Sequence, residues 1–144
     1  MSHTAAVSLL NEILKEIAAQ KKVTNDQLLT LHGLVGNVLI EALHLVDNQA
    51  VAKVICPTQR MLYEVGDVLS SKSTTTATYM CLIQPHYCSC HDFFQFVVCK
   101  QAILTCRHLL ATVLAQALDA VKETQLNDEA FAEKMYLSMG FDNK

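Results

Sequence analysis

Four residues that can bind a metal ion stand in two closely spaced pairs. One residue separates Cys88 from Cys90, fifteen residues follow, and one residue again separates Cys106 from His108. Zinc binds four ligands drawn from thiolate sulfur and imidazole nitrogen, so the two pairs together supply a complete coordination sphere. The pattern C-x-C-x15-C-x-H therefore predicts one zinc ion with a structural role, because a catalytic zinc keeps one position open for water.

The two pairs need different local structures to reach one ion. In an extended segment residues i and i+2 point to the same face, so Cys88 and Cys90 can present both sulfurs from a strand. Positions i and i+2 of a formed helix do not face each other, so Cys106 is expected in the turn before a helix and His108 in its first turn. Apolar residues recur at helical spacing over 109–117, which predicts that helix, and its positive end would stabilise the thiolates.

Other interpretations of these residues stay open. The cysteines could be buried free thiols or form a disulfide, although the lack of a recognisable export signal favours reduced thiols. His91 directly follows Cys90 in the sequence and is the alternative to His108 as the fourth ligand. Two further cysteines lie nearby, and we expect Cys81 on a strand and Cys99 in the apolar core rather than on the metal.

Composition restricts the class of protein. The chain has 144 residues, is 51% hydrophobic and carries a net charge of −3, so we expect one domain over 1–144. Only four glycines occur, and the sequence contains no phosphate-binding loop, no nucleophile elbow and no convincing carboxylate pair. We therefore expect no enzyme and no small-molecule substrate. No convincing membrane-spanning run is recognised, so we expect no membrane association.

The first part of the chain, 1–48, is predicted to be helical. Apolar spacing predicts a helix over 5–20. Thr24 and Gln27 have the spacing of a capping box that begins the next helix. Glycines then interrupt the pattern, which predicts a bend followed by a second helix over about 37–46.

The middle part, 49–120, is predicted to combine a β-hairpin with the zinc module, whose core spans 78–115. β-Prone residues over 51–56 and 61–65 flank a turn that contains proline, which predicts the hairpin. A third strand is predicted over 78–83. The sheet is expected to be small and antiparallel.

The segments on either side of the predicted zinc-module helix complete the expected fold. The apolar segment 93–99 is expected to cover the metal, as a short helix or as an irregular knuckle. The last part, 121–144, is predicted to hold a C-terminal helix over about 128–139, capped by Asn127 and ended by Gly140. The predicted fold class is therefore α+β: N-terminal helices, a small antiparallel sheet, a zinc module leading into a helix, and a C-terminal helix.

The ligand pattern resembles that of a known family. Cys88-x-Cys90, Cys106-x-His108 and the alanine at position 111 match the SWIM zinc-finger pattern, C-x-C-x(n)-C-x-H, including the trailing alanine of its extended form. The segment 78–90, the N-terminal helices and the small size of the chain are similar to the short SWIM-domain branch found in the Shu complex. This likeness runs over most of the chain and is strongest over 78–115.

The resemblance implies a non-enzymatic, zinc-containing subunit of a homologous-recombination complex in the nucleus. Members of the branch pair with a RecA-family recombinase paralogue, as a heterodimer or in a larger complex. The pair promotes assembly or stability of recombinase filaments on single-stranded DNA, in repair of DNA damage and in meiosis. By the same resemblance, Cys88, Cys90, Cys106 and His108 bind zinc, Ala111 supports the fold and partner binding, and the complex is what reaches single-stranded DNA.

The alternative function is that of a stand-alone SWIM module, which binds DNA or protein in transcription or chromatin. DNA binding by the chain alone would need basic side chains gathered on one face. Between 53 and 107 the sequence holds five basic and three acidic residues, which allows only a weak basic patch. That patch would comprise Lys53, Arg60, Lys72, Lys100 and Arg107. The modest negative charge and the rich apolar content favour a subunit that binds a protein partner.

Overall fold

A computed structural model describes residues 2–68 and 76–138 of the chain, and it confirms the predicted α+β class. Three α-helices come first and four strands follow; the chain then forms a π-helix, an α-helix, the fifth strand of the sheet and a last α-helix. The α-helices are α1 (His3–Gln20), α2 (Asn25–Val35), α3 (Asn37–Asp47), α4 (Arg107–Ala117) and α5 (Asp128–Ser138), and the π-helix spans Phe93–Cys99. The strands are β1 (Val51–Ile55), β2 (Met61–Val68), β3 (Thr76–Leu82), β4 (Tyr87–Cys88) and β5 (Lys122–Gln125).

Local signals define the N-terminal helices as the sequence predicted. The Thr24 hydroxyl accepts a hydrogen bond from the Gln27 backbone N–H at 3.1 Å, and the Gln27 side chain accepts one from the Thr24 N–H at 2.9 Å. This reciprocal pair is the predicted capping box at the start of α2. The break between α2 and α3 falls at Gly36, whose φ of +64° is a left-handed value that favours glycine.

The sheet has the strand order β4-β3-β2-β1-β5. The first four strands pair antiparallel, which includes the predicted hairpin of β1 and β2. β5 pairs parallel to β1, from Ala52 opposite Lys122 to Ile55 opposite Gln125. Only a helix is predicted within 121–144, so this edge strand is an addition to the predicted fold.

Helix α4 lies at the centre of the larger hydrophobic core. It packs against α1 and α3 on one side and against the sheet on the other. Because neighbours surround it, buried residues occur around most of its circumference rather than along one stripe. The buried residues of α4 are His108, Leu109, Leu110, Ala111, Thr112, Leu114, Ala115 and Ala117.

The opposite face of the sheet has a smaller core centred on Phe131 of α5. The fully buried Phe131 ring packs in one cluster with Val54, Leu62 and Met80. Outside this cluster, Lys134 of α5 forms an ion pair with Glu64 of β2 at 2.9 Å. α5 begins where the sequence predicted, and the Asn127 side chain caps it by accepting a hydrogen bond from the Ala130 N–H at 2.7 Å.

The predicted end of this last helix at Gly140 lies outside the described residues. Within 2–68 and 76–138, no helix is both long enough and apolar enough to cross a membrane.

Candidate metal centre

The structure brings together all four residues of the predicted zinc set. One potential ligand atom from each of Cys88, Cys90, Cys106 and His108 lies within 4.8 Å of the others, and all four side chains are buried. They converge from the end of β4, from the turn after it, and from the N-cap and first turn of α4. Two segments that are fifteen residues apart in the sequence thus meet at one point.

The strand pairing of β3 and β4 positions the first two sulfurs. Cys88 ends β4, and the following Ser89 continues the pairing, because its backbone N–H donates to the Met80 carbonyl at 3.0 Å. The Met80 N–H in turn donates to the Ser89 hydroxyl at 3.0 Å. The sulfur of Cys90 accepts a hydrogen bond from the Phe93 N–H at 3.3 Å. The spacer residue of the first C-x-C pair therefore fixes the backbone while both thiols point inward.

Cys106 is the N-cap residue of α4. Its backbone is extended, with φ −86° and ψ 165°, and its sulfur accepts a hydrogen bond from the Leu109 N–H at 3.4 Å. His108 follows in the first turn. This arrangement confirms the predicted positions before and within the helix, and it places the sulfur of Cys106 at the positive end of the helix.

The imidazole of His108 is held on two sides. Its Nε2 atom lies 2.7 Å from Oδ2 of Asp67 in β2, and its ring stacks on Tyr79 of β3 with centroids 4.3 Å apart. Its other ring nitrogen, Nδ1, is buried and has no hydrogen-bond partner among the described residues. A buried, unpaired nitrogen on a histidine that clusters with three cysteines is a group that a metal ion would satisfy.

Close packing of the sulfurs shifts the pKa values of the thiols. Hydrogen bonds with Cys88 and Cys90, together with burial, raise the pKa of Cys106 far above the ordinary thiol range. Hydrogen bonds from Cys106 and Cys88 lower the pKa of Cys90. The cluster therefore favours one thiolate over three, and full ionisation needs a cation among the sulfurs. Three sulfurs and one imidazole nitrogen are a zinc donor set, and the cluster fits one zinc ion.

Arg107 lies between the predicted ligands Cys106 and His108 in the sequence, and its side chain contacts three carboxylates of the protein. Its Nε atom donates to the same Oδ2 atom of Asp67 at 2.8 Å, and its Nη1 atom lies 3.5 Å from Oδ2 of Asp92 and 4.0 Å from Oε2 of Glu41. Burial by itself would raise the pKa of Asp67, but hydrogen bonds from His108 and Arg107 outweigh burial and lower it. Asp67 is therefore ionised at neutral pH, and the arginine counted in the weak basic patch is paired with carboxylates.

The other nearby cysteines and histidines lie outside the cluster of four. Cys81 is buried on β3 directly opposite Cys88, as expected for a strand residue. His91 and His86 are exposed. Cys99 is exposed as well, so its predicted place in the core is wrong, because it lies at the end of the π-helix on the side that faces solvent.

The segment between the ligand pairs covers the centre less completely than the sequence suggested. It forms a π-helix in which Phe93 is buried beside the cluster, whereas Phe94 and Val98 are exposed. Ala111 is fully buried on α4, one turn beyond His108. Its small side chain leaves room for neighbouring elements to pack closely, and its role in partner binding stays a prediction.

Sequence reasoning missed Asp67 and Tyr79, which hold the imidazole. One signal for Asp67 was present in the alternation of β2, because Tyr63 and Val65 face the larger core and Asp67 is the next residue on that face. Burying a carboxylate on the inner face of a strand is costly unless a cation or a hydrogen-bond donor pairs with it, so this position predicts such a partner. The predicted strand ends at 65, so it does not include Asp67.

The fold and the site define a zinc-finger protein of the SWIM type. The chain is 33% identical to "Zinc finger SWIM domain-containing protein 7" of Homo sapiens over 130 residues, which cover 88% of this chain and 89% of that protein. It is 32% identical to the protein of the same name from Mus musculus, over 90% of this chain and 84% of that protein. It is also 30% identical to "Zinc finger SWIM domain-containing protein 7 homolog" of Dictyostelium discoideum, over 93% of this chain and 84% of that protein.

The chain belongs to the zinc finger SWIM domain-containing protein 7 family. The names of these relatives describe a zinc-finger module and mention no catalysis. No protein-family model matches the chain, and no solved structure matches it at a significant level.

Proposed function

We propose that this chain is a non-enzymatic, zinc-containing subunit of a Shu-type homologous-recombination complex in the nucleus. It pairs with a RecA-family recombinase paralogue and promotes assembly or stability of recombinase filaments on single-stranded DNA, in DNA repair and in meiosis. The observation that carries the proposal is a closed, buried zinc donor set in a chain of this family.

The donor set supports a structural role for the metal. Three thiolates and one imidazole fill the four positions of zinc and leave none for water or substrate. Bound there, zinc would stabilise the fold by joining β4 to the first turn of α4. We therefore propose that the protein acts by presenting surfaces to partners and catalyses no reaction.

The distribution of charge supports binding to a protein partner over independent binding to DNA. Arg107 is surrounded by carboxylates, and Lys134 is paired with Glu64. Lys21 lies 3.1 Å from Asp119. Cations that are already paired contribute less to the counterion release on which sequence-independent binding to DNA depends. Lys72 of the weak patch lies outside the described residues.

Exposed apolar side chains supply candidate contacts for a partner. Phe94 and Val98 of the π-helix, and Leu29 and Ile40 of α2 and α3, are each more than half exposed. Apolar side chains at a subunit interface are buried when the complex forms, so such residues are typical of obligate subunits.

The proposal is tested by co-expressing the chain with a candidate RecA-family paralogue and measuring zinc on the purified sample. The expected result is a stable complex with about one zinc per copy of this chain. Cys106→Ser should lower both the zinc content and the yield of complex, because it removes a thiolate ligand, while the serine hydroxyl can still cap α4. Cys99→Ser is the matched control, since Cys99 is exposed and lies outside the cluster.

Binding to single-stranded DNA separates the proposal from the stand-alone module. The purified chain should bind weakly, with a shallow dependence on salt, and the complex should bind more tightly. Tight binding by the lone chain, with an affinity that falls steeply as salt rises, would favour the module. Failure to form a complex with any RecA-family paralogue would contradict the proposed pairing.

A further inference from the structure

We propose that Asp67 is a positioning residue of the metal centre. Its carboxylate holds the ring of His108 so that Nδ1 faces the three sulfurs, and Arg107 holds the carboxylate in place. This inference concerns the zinc site of the isolated chain and is independent of the proposed partner.

The first part of the argument is the choice between the two nitrogens of His108. An imidazole binds a metal through one nitrogen, and the hydrogen bond at the other nitrogen decides which one is free to do so. Here Nε2 lies 2.7 Å from Oδ2 of Asp67, the same oxygen that accepts from Arg107, so Nε2 is the nitrogen that donates to the carboxylate. Nδ1 is buried without a hydrogen-bond partner in the described part of the chain, so it is the nitrogen left for the metal.

The second part is the restriction on rotation of the ring. Tyr79 stacks on the imidazole with an interplanar angle of 29°. A ring that flipped would turn Nε2 toward the sulfurs, lose the bond to Asp67 and leave a carboxylate that is 15% exposed without that partner. Losing a charge-assisted hydrogen bond in a partly buried place is costly, so the observed orientation is the stable one.

The third part is the support of Asp67 itself. Its Oδ2 atom accepts hydrogen bonds from both His108 and Arg107, at 2.7 and 2.8 Å. The guanidinium also lies near Glu41 of α3 and Asp92 before the π-helix. Arg107 therefore links the carboxylate of Asp67, which contacts His108, to two further segments of the chain. Arginine suits this role better than lysine, because its planar guanidinium presents several donors in a fixed geometry.

A second carboxylate on the same strand provides a matched control. Glu64 of β2 faces the opposite side of the sheet and accepts from Lys134 at 2.9 Å, a distance close to that between Arg107 and Asp67. Within the described residues, no hydrogen bond or ion pair joins Glu64 to the metal cluster. Substitutions at Glu64 therefore report what an ion pair on β2 contributes to the fold, without any effect on the orientation of the imidazole.

The test is the zinc affinity of Asp67→Ala, Asp67→Asn and Glu64→Gln, measured by competition with a chromophoric chelator. Removing a carboxylate that orients a zinc-bound histidine weakens binding by about 10- to 100-fold. We expect this loss in Asp67→Ala, a smaller loss in Asp67→Asn, whose amide oxygen can still accept the Nε2 proton, and no change in Glu64→Gln. Asp67→Asn carries the test if the alanine variant does not fold.

NMR of the His108 ring nitrogens supplies a readout that a purely structural role would leave unchanged. In the zinc-loaded chain the proton should reside on Nε2 and the metal on Nδ1, and Asp67→Asn should shift the Nε2 proton resonance. Zinc bound to Nε2 would overturn the proposal. So would a zinc affinity that changes less than twofold in both Asp67 variants, or that falls equally in Glu64→Gln.

Discussion

Ala111 offers a quantitative test of how tightly α4 is packed. Ala111 is fully buried in the helix that contacts α1, α3 and the sheet, so Ala111→Val would add two methyl groups where neighbours already surround the side chain. Overpacking of a core costs about 1–3 kcal/mol, and the lower helix propensity of valine adds about 0.5 kcal/mol. At about 2.1 cal/mol/K per residue, 144 residues give an unfolding entropy near 0.3 kcal/mol/K. The melting temperature should therefore fall by about 5–12 °C.

Differential scanning calorimetry at a fixed zinc concentration measures this shift. Ala132→Val is the matched control, because Ala132 is exposed on α5 and the substitution carries the same propensity cost without the crowding. The control should lower the melting temperature by about 2 °C. Equal shifts in the two variants would show that there is free space beside Ala111, and the close packing inferred for α4 would be refuted.

Two further predictions concern the other face of the sheet. Phe131→Ala should destabilise the protein by about 3–5 kcal/mol in urea unfolding, because it empties the centre of the smaller core, whereas Phe94→Ala should change stability little. Hydrogen bonds from Cys56 and Thr58 lower the pKa of Asp128 in the folded protein. Ionised Asp128 therefore stabilises the fold at a pH above its unfolded pKa of about 4. This stabilisation is lost as the pH falls through the lower pKa of the folded state. Thr58→Val should raise this pKa in an NMR titration, and an unchanged midpoint would refute that assignment.

Much of the fold follows from signals that act over a few residues. The capping box of Thr24 and Gln27 marks the start of α2, and the glycine at 36 separates α2 from α3. The metal cluster could be predicted from the sequence for the same reason. The end of β4 and the turn after it present Cys88 and Cys90 to one point, and a helix N-terminus accommodates the thiol of Cys106, so the short spacing within each pair brings its two side chains together.

The features that were missed depend on contacts between distant residues. β5 is a polar strand with all four residues exposed, so it shows no alternation and forms only because β1 is there to pair with. The bond between His108 and Asp67 joins residues 41 apart in the sequence, and no local pattern announces it. Cys99 was misplaced because an apolar run predicts burial on average and says nothing about which side of a π-helix faces solvent.

The burial of all four metal-binding side chains has a consequence for the lifetime of the bound ion. A chelator in solution can reach the zinc only after β4 and the first turn of α4 have separated. The rate of metal loss should therefore reach a plateau as chelator concentration rises, and the plateau equals the frequency of that local opening. A protein partner that contacts either element would slow the opening, so the residence time of zinc becomes a measure of assembly.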